Sequence, residues 1–459
     1  MPRRLDVDYL VVGAGAMGMG FVDALIDHAD VRVAMIDRRN GVGGHWRNAY
    51  PFVRLHQSST FYGVASRVLG GGIQTAGPEA GLHERADQPT ILAYYEQVMT
   101  EHLIGSGRVE FFPRSEYVGG RFVVSRESGD HLEVPHRCRV VDARYLAPDI
   151  PAETPPKFEV AEDARVVPVN DLPAWEGTTS QYVVVGSGKT ATDACVWLLS
   201  RGTDPDAICW VRPRDPWMLN RSLIQPDPAI YLGMLAELMR LSSDAPSLPQ
   251  LFRRLEEAGI MLRIDRSVTP TMAKAPTLGV WELEQLRSIE NVVRRGHIQV
   301  ARRGRMDLED GSVALAGDAL VVNCAADGLK NPPLVPIWRP EMITLQPVRA
   351  GFPCFGAALT GYIEGTRVDD AEKNRICRPS SFGNSLADWA RMNARGARNA
   401  AAFGAEPDVK QWTDRIAVNP ARIPPERVGS SELEDVRSRL GRYLGPGVAR
   451  LAELGGLPE

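Results

Sequence analysis

The fold is decided by the stretch DYLVVGAGAMGMGFVDALIDHADVRVAMID, residues Asp8 to Asp37. Its apolar residues predict a short buried strand over Tyr9–Val12 and an amphipathic helix that runs to about Ala29. A second apolar run, Val31–Ile36, predicts another strand that ends directly before Asp37. The sequence therefore predicts that the chain begins with a βαβ unit of an α/β fold.

Three glycines separate the first strand from the helix, with the spacing G-x-G-x-x-G. The first permits a tight turn, the second lets a pyrophosphate approach the backbone, and the third lets helix and strand pack closely. A phosphate at this turn meets the free N–H groups and the positive end of the helix dipole. The acid after the second strand can accept hydrogen bonds from a ribose diol. A glycine-rich turn without a ligand is the alternative, but the strand, helix, second strand and acid all stand in register and favour a dinucleotide. The predicted contacts are Gly13, Gly15, Ala16, Met17, Gly18 and Asp37.

Length and composition limit the class of protein. The 459 residues suggest about three domain-sized units, and the 44% hydrophobic and 24% charged residues are typical of a globular protein. A net charge of −4 gives no indication of a nucleic-acid surface or a polybasic membrane patch. The six cysteines show neither C-x-x-C nor metal-ligand spacing, which favours reduced thiols and no metal site. Because no apolar run approaches the roughly 20 residues that span a bilayer, we expect a soluble, cytoplasmic protein.

A second nucleotide motif lies in QYVVVGSGKTATDACVWLLSRG, residues Gln181 to Gly202, which again predicts a strand, a turn and a helix. Its spacing is G-x-G-x-x-A. A P-loop would need a glycine where Val183 stands, so that interpretation is rejected. The strand that follows ends in Arg212 and Arg214 instead of an acid, which favours the 2′-phosphate of NADPH over NADH; the alternative is that these arginines form a solvated rim. The predicted contacts to this nucleotide are Gly186, Ser187, Gly188, Lys189, Thr190, Arg212 and Arg214.

Two further segments carry a resemblance to a known family. The sequence GGHW, Gly43 to Trp46, is followed by YPFVRLHQSSTFYG, Tyr50 to Gly63. Together they resemble the G-G-x-W and Y-P-G-L-R-L-H-x-P-S-x-x-Y-G segments of class B flavin-dependent monooxygenases, the group of flavin-containing, Baeyer–Villiger and N-hydroxylating enzymes. The resemblance implies that FAD lies along this loop, with the histidine region at the reactive edge of the flavin ring. The implied cofactor contacts are Arg38, Gly44, His45, Trp46 and Arg54, and the implied catalytic residues are His56 and Gln57. The alternative for His56 is a structural histidine.

The same resemblance implies further cofactor contacts. The strand end near Ser115 and Glu116 would hold the adenine of FAD, and the segment around Gln346 would lie beside the pyrimidine end of the flavin. The position of the family's A-T-G-x-x-S-x-P crossover is occupied by the segment from Cys138 to Pro156, where Arg144 and Tyr145 replace Thr and Gly.

The predicted fold class is α/β, with two Rossmann-like dinucleotide-binding domains, for FAD and NADPH, and a helical insertion. The FAD-binding domain comprises residues 1–155 plus 318–400, because the segment 317–329 resembles a strand that returns to it. The NADPH-binding domain comprises residues 156–317, with the helical insertion at 217–296. Residues 401–459 form a helical C-terminal tail.

Two departures from the family pattern affect the predicted chemistry. In the fingerprint F-x-G-x-x-x-H, Val160 stands for the glycine and Ala164 for the histidine, and the corresponding turn is VVPVNDL, residues 166–172, where Asn170 or Asp171 takes the place of the histidine. Arg54 is followed by Leu55 and lacks the aspartate of Baeyer–Villiger enzymes, which favours oxygenation at a heteroatom over ketone insertion.

The predicted function is an FAD- and NADPH-dependent monooxygenase that forms a C4a-(hydro)peroxyflavin with O₂ and oxygenates a small organic substrate, without nucleic-acid or membrane partners. Two alternatives stay open: an NADPH-dependent flavin reductase or oxidase that inserts no oxygen, and a flavin-bound scaffold or sensor. Disulfide reduction is excluded, because no dithiol pair follows GGHW. The substrate and the oligomeric state do not follow from the sequence.

Overall fold

The fold is organised around two parallel sheets of five strands each. The computed structural model describes residues 2–326 and 328–458; Asp327, within the segment predicted as a returning strand, lies outside the described residues. The first sheet has the strand order Met342–Thr344, Arg139–Asp142, Tyr9–Val12, Val33–Ile36 and Val109–Phe112. The second sheet has the order Val166–Pro168, Leu320–Asn323, Tyr182–Val185, Ile208–Val211 and Val292–Val293. Neighbouring strands are parallel throughout both sheets, which confirms the predicted α/β fold class.

Each sheet contains one strand–turn–helix unit of the kind that the glycine motifs predict. The helix after the first motif is Ala16–His28, and the helix after the second is Lys189–Ser200. The first helix is buried along most of its length because the helix Pro353–Thr366 covers its outer side. A Cβ on Gly361 would lie 2.2 Å from the carbonyl oxygen of Phe21, so this crossing needs a glycine.

A smaller sheet accompanies each parallel sheet. One consists of Arg3–Arg4, His131–Glu133, Phe122–Ser125 and Ser115–Gly119. The other consists of Gly311–Ala314, Arg305–Leu308, Ile298–Arg302 and Glu159–Val160. Each of these sheets contains an antiparallel hairpin, one that turns at Gly119-Gly120 and one at Asp310-Gly311.

The insertion between the strands of the second sheet is mixed, and the prediction of a helical insertion is therefore wrong in part. Its helices are Pro228–Ser243, Leu248–Glu257 and Val280–Leu286. A three-stranded sheet of Met261–Leu262, Pro216–Asn220 and Met272–Leu278 packs beside them. Short apolar runs of this kind fit a buried strand and a buried helix equally well, so periodicity alone could not identify them.

The strand Leu320–Asn323 corrects the predicted point of return to the first sheet. It pairs with Tyr182–Val185 and Val166–Pro168, inside the second sheet. The chain returns to the first sheet only with Met342–Thr344, which pairs with Arg139–Asp142. All four residues from Leu320 to Asn323 are buried, and such a run fits the centre of either sheet.

The remaining elements are short turns and the C-terminal helices. Helix Gln88–Gln97 continues into a π-helical turn over Val98–Leu103, and 3₁₀ turns include Gly44–Asn48, Ser59–Tyr62 and Val169–Ala174. The C-terminal helices are Asp370–Ile376, Leu386–Gly404, Pro407–Thr413 and Ser431–Gly455. Within residues 2–326 and 328–458, no helix combines the length and the apolar character needed to cross a bilayer.

Candidate active site

The first glycine turn, residues 13–18, lies at the carboxyl end of the central strand of the first sheet. Gly13 has a φ of +112°, which other residues rarely adopt. A Cβ on Gly18 would lie 2.0 Å from the Gly13 carbonyl oxygen, so helix and turn can meet only if this residue is glycine. The helix begins at Ala16 without a side-chain cap and without an acid in its first turn. Its first N–H groups therefore have no competing carboxylate, and the turn fits a pyrophosphate.

Asp37 occupies the position that the sequence predicts for the ribose contact. Its carboxylate accepts hydrogen bonds from the backbone N–H groups of Ala14 and Arg39, at 2.9 and 2.8 Å. These bonds fix the acid at the edge of the glycine turn. The backbone N–H of Ser115 donates to the Asp37 carbonyl at 2.8 Å, which brings the predicted adenine-binding strand end to the same edge. The neighbouring Glu116 side chain is exposed and lies 3.7 Å from Arg126.

The GGHW loop faces the first glycine turn. A Cβ on Gly44, which has a φ of +57°, would lie 3.1 Å from the Gly15 Cα, so the two backbones approach closely. Trp46 is buried, and its ring centroid lies 4.8 Å from that of His45. Burial, followed by the positive charge of Arg39, lowers the pKa of His45 to about 4, so this imidazole is neutral.

The side chains of the other predicted flavin contacts, Arg38, Arg54 and Gln346, pair with other residues of the chain. Arg38 is exposed and pairs with Glu153 at 3.3 Å. Arg54 is exposed as well, and its guanidinium donates to the Arg85 carbonyl. The side-chain amide of Gln346 is buried, where it donates to the Val335 carbonyl and accepts from the Val335 N–H. Only the backbone of Gln346 is thus free for a ligand.

The second glycine turn repeats the geometry of the first. Gly186 has a φ of +136°, and a Cβ there would lie 3.3 Å from the Cys324 carbonyl oxygen. The indole N–H of Trp210 holds this turn by donating a hydrogen bond to the Gly186 carbonyl at 2.8 Å. Gly188 precedes a helix that has no side-chain cap and no acid in its first turn. The predicted nucleotide contacts Ser187 and Thr190 are both half-buried at this turn.

The two arginines after the next strand differ strongly in their surroundings. Arg212 is 1% exposed, pairs with Asp215 at 2.9 Å and lies over the Trp210 ring at 4.4 Å. Its Nε and Nη1 atoms are buried and lack a hydrogen-bond partner among the described residues. Arg214 is exposed and forms no ion pair with any residue that the structure describes. Because an unpartnered buried guanidinium N–H is unfavourable, the Arg212 site fits an anionic group.

His56 and Gln57 lie where the first domain, the residues around the first sheet, meets the second domain, the residues around the second sheet. The His56 carbonyl accepts hydrogen bonds from Arg221 Nε, at 3.0 Å, and from the Thr277 hydroxyl. The imidazole Nδ1 of His56 is buried and has no hydrogen-bond partner within residues 2–326 and 328–458. Burial and then the charges of three nearby cations hold the pKa of His56 well below its usual value. The neutral ring has one nitrogen that donates a hydrogen bond and one that accepts, and the buried Gln57 amide lies close to the backbone of Gly351.

Six charged side chains, which we call the interdomain ion cluster, surround this junction. They are Glu79, Arg85, Lys189, Asp193, Arg221 and Glu282. Arg221 bridges the two glutamates, with Nη2 at 2.7 Å from Glu282 and Nη1 against Glu79. Lys189, predicted as a nucleotide contact, pairs instead with Asp193 and lies 3.6 Å from Glu282. In each of the six except Asp193, less than 8% of the side chain is exposed.

Of this cluster, only Lys189 is among the site residues predicted from the sequence. Arg85 and Glu79 lie in a glycine-rich segment without helical or strand periodicity, and Glu282 lies two hundred residues farther along the chain. Tyr50, whose hydroxyl donates to Asp193 at 2.6 Å, was quoted only as part of a family segment. One available signal was Arg221, which stands between the apolar residues WML and LI. No group of three or more His, Cys, Asp or Glu side chains that could hold a metal ion is formed by the described part of the chain.

Comparison with solved structures identifies the class of fold. A polycyclic ketone monooxygenase from the fungus Thermothelomyces thermophila superposes with a TM-score of 0.53 and 13% identity, over 97% of this chain and 88% of that one. A caprolactone-bound cyclohexanone monooxygenase superposes with a TM-score of 0.50 and 16% identity, over 88% of this chain and 98% of that one. A steroid monooxygenase bound to NADP superposes with a TM-score of 0.50 and 16% identity, over 79% of this chain and 85% of that one. This chain therefore shares the fold of these three monooxygenases, as the sequence resemblance predicts.

Comparison with known sequences gives mycobacterial relatives whose names state no function. The uncharacterized protein Rv2000 of Mycobacterium tuberculosis is 40% identical over 98% of this chain and 85% of its own length. The uncharacterized protein Mb2023 of Mycobacterium bovis matches equally well. The chain belongs to the family of these mycobacterial proteins. No family model matches the sequence.

Proposed function

We propose that the protein is an NADPH- and FAD-dependent monooxygenase that oxygenates a small organic substrate, at a heteroatom. The observation that carries the proposal is the pair of glycine turns, each at the carboxyl end of a five-stranded parallel sheet. The first is accompanied by an acid, Asp37, and the second by a buried guanidinium with two unpartnered nitrogens, Arg212. An acid suits the ribose of FAD, and a cation suits the 2′-phosphate of NADPH. The fold neighbour that holds NADP supports the second assignment.

Bound FAD would supply the redox chemistry, accepting a hydride from NADPH and passing electrons to O₂. Gly13, Gly15 and Gly18 would hold its pyrophosphate, and Asp37 would orient its ribose. His56 and Gln57 would face the reacting region from a junction between the two domains. Their role would be to exclude water and to offer hydrogen bonds, because the buried His56 ring is neutral and its Nδ1 has no hydrogen-bond partner among the described residues.

A flavin reductase or oxidase is the second candidate, and one observation favours it. The family fingerprint histidine is absent from the turn Val169–Ala174, where Asn170 donates instead to the Asn48 carbonyl at 2.9 Å. This contact joins the turn to the GGHW loop with a neutral amide. The change bears on how the nicotinamide is held and on whether oxygen is transferred to a substrate after the flavin is reduced.

The deciding experiment starts from the purified protein, which should carry about one FAD per chain and oxidise NADPH. The flavin is reduced with NADPH and mixed with O₂ in a stopped-flow spectrometer. A monooxygenase gives a long-lived intermediate spectrum before the oxidised flavin returns, and His56→Ala should shorten its lifetime while flavin reduction stays nearly intact. Reoxidation in one step, with stoichiometric hydrogen peroxide, would establish the oxidase. Wild-type protein without flavin would refute both candidates.

A further inference from the structure

A glycine-rich loop, residues 66–84, covers the junction between the two domains. Four of its glycines, Gly70, Gly71, Gly77 and Gly81, have positive φ, and the segment contains no helix and no regular strand. Every residue from Gly70 to Ala80 is exposed or half-buried except Glu79, which is 5% exposed. An acid is thus the one side chain that this part of the loop buries. Because charged residues are almost never fully buried without partners, its contacts determine where the loop lies.

The Glu79 carboxylate joins the loop to the second domain. Its Oε1 accepts from the Trp281 indole N–H at 3.1 Å and lies against Arg221 Nη1. Its Oε2 accepts from the Arg85 guanidinium at 2.9 Å. Arg85 belongs to the first domain, whereas Trp281 and Arg221 belong to the insertion in the second domain. Besides Gln74 Nε2 of its own loop, at 3.5 Å, this carboxylate thus contacts Trp281, Arg221 and Arg85 and bridges the two domains.

Arg221 transmits this contact to His56. Its guanidinium is 1% exposed and uses all three nitrogens: Nη1 for Glu79, Nη2 for Glu282, and Nε for the His56 carbonyl. Glu282 is itself fixed, because it accepts the Gly279 N–H at 2.8 Å. The planar guanidinium thus holds the His56 backbone at a defined position relative to the second domain.

The charges of the cluster balance. Three cations, Arg85, Lys189 and Arg221, face three anions, Glu79, Asp193 and Glu282. Burial alone would raise the pKa of Glu282, but Lys189, Arg221 and Arg85 outweigh it and lower that pKa to about 2. The same two arginines lower the pKa of Glu79 against the effect of burial. Removing one partner from such a set leaves a buried charge uncompensated.

We propose that Arg221 is a positioning residue that fixes the His56–Gln57 segment against the second domain, and that Glu79 is a latch that closes the loop 66–84 over this junction. The consequence for catalysis rests on the proposed function, because it assumes that His56 and Gln57 face the flavin. The latch itself rests only on the contacts of Glu79. The two parts can therefore be tested separately.

The latch is tested by hydrogen exchange on the full-length protein. Glu79→Gln removes the charge but keeps the shape, and should raise the exchange rate of amides in residues 70–82 by about tenfold or more. Glu84→Gln is the matched control, because Glu84 lies on the same loop and outside the cluster, and its carboxylate accepts, among the described residues, only the Gly72 N–H at 3.2 Å. If Glu79→Gln exchanges like the wild type, or if Glu84→Gln opens the loop equally, the latch is refuted. Arg221→Lys keeps the positive charge but lacks the planar guanidinium, and it should raise amide exchange in the same loop. This variant tests the latch if Glu79→Gln does not fold.

The positioning role is tested by how electrons from NADPH are used. Arg221→Lys should change the KM for NADPH little, but it should raise the share of electron pairs that reduce O₂ to hydrogen peroxide by about fivefold or more, because His56 is misplaced. If Arg221→Lys instead lowers the flavin content, or changes kcat and KM without raising the share of peroxide, the role of Arg221 is purely structural. A wild-type protein that binds no FAD refutes the proposed function, and the hydrogen-exchange result still decides the latch.

Discussion

Replacing Arg212 by methionine should separate the two nicotinamide coenzymes. The methionine side chain matches the length of the arginine stem and fills the space over Trp210. Asp215 does not become unpaired, because Arg294 also binds it at 2.8 Å. The substitution therefore removes the two unpartnered guanidinium nitrogens without leaving an isolated buried carboxylate.

The expected size follows from the burial of Arg212. A charge-assisted hydrogen bond to a phosphate contributes about 1.5–3 kcal/mol, which corresponds to roughly a 10- to 150-fold change in affinity. NADH lacks the 2′-phosphate, so its kcat/KM should stay within about a factor of three, a difference well below 1.4 kcal/mol. The exposed Arg214 provides the matched control, Arg214→Met, since an exposed pair contributes only about 0–1 kcal/mol.

The assay compares kcat/KM for NADPH and NADH in the wild type and the two variants, at equal flavin content. The hypothesis expects the ratio of the two values to fall strongly in Arg212→Met and weakly in Arg214→Met. Equal losses with both coenzymes in Arg212→Met would refute the reasoning. They would show that the arginine only braces Asp215 and Trp210.

Two further substitutions test the first domain. Gly18→Ala should lose FAD and destabilise the fold by about 1–3 kcal/mol, because its Cβ would lie 2.0 Å from the Gly13 carbonyl oxygen. The control is Gly20→Ala in the same helix, which should retain flavin because its Cβ would lie 3.6 Å from the nearest atom. Equal flavin content in both variants would contradict the packing argument. Asp23 is fully buried, and burial raises its pKa to about 6 from 3.8, so its charge destabilises the folded state increasingly as pH rises from 3.8 to 6. We therefore expect the free energy of unfolding of Asp23→Asn, relative to that of the parent, to be higher at pH 8 than at pH 3.5 by up to about 3 kcal/mol in urea denaturation. Parallel pH profiles of the two proteins would exclude the effect.

Local patterns sufficed to predict the two strand–turn–helix units with glycine turns. The strand Tyr9–Val12 and its helix were predicted within a residue or two, because apolar periodicity and the glycine spacing both act over fewer than thirty residues. The same holds for the second strand–turn–helix unit, Tyr182–Val185 with its helix. In both cases one short segment contains the whole physical cause.

Long-range pairing could not be predicted in this way. Leu320–Asn323 was assigned to the wrong sheet because a buried apolar run carries no information about its partner. The role of Lys189 was also out of reach, because the sequence shows a lysine after a glycine turn but not the carboxylate of Glu282 beside it. Charges that meet across two domains leave no periodic trace in the chain.

The broken fingerprint and the ion cluster have a common physical consequence. At the turn Val169–Ala174 the two domains are joined by the neutral Asn170 amide, and at His56 they are joined by Arg221 and its glutamates. A neutral contact of this kind contributes about 1 kcal/mol, whereas breaking a buried charge pair costs about 3–5 kcal/mol. The relative position of the domains should therefore depend on the cluster more than on the turn. On the proposed function, Arg221 would therefore set the geometry between flavin and nicotinamide more than this turn does, and the loss of the fingerprint histidine would not by itself exclude oxygen transfer.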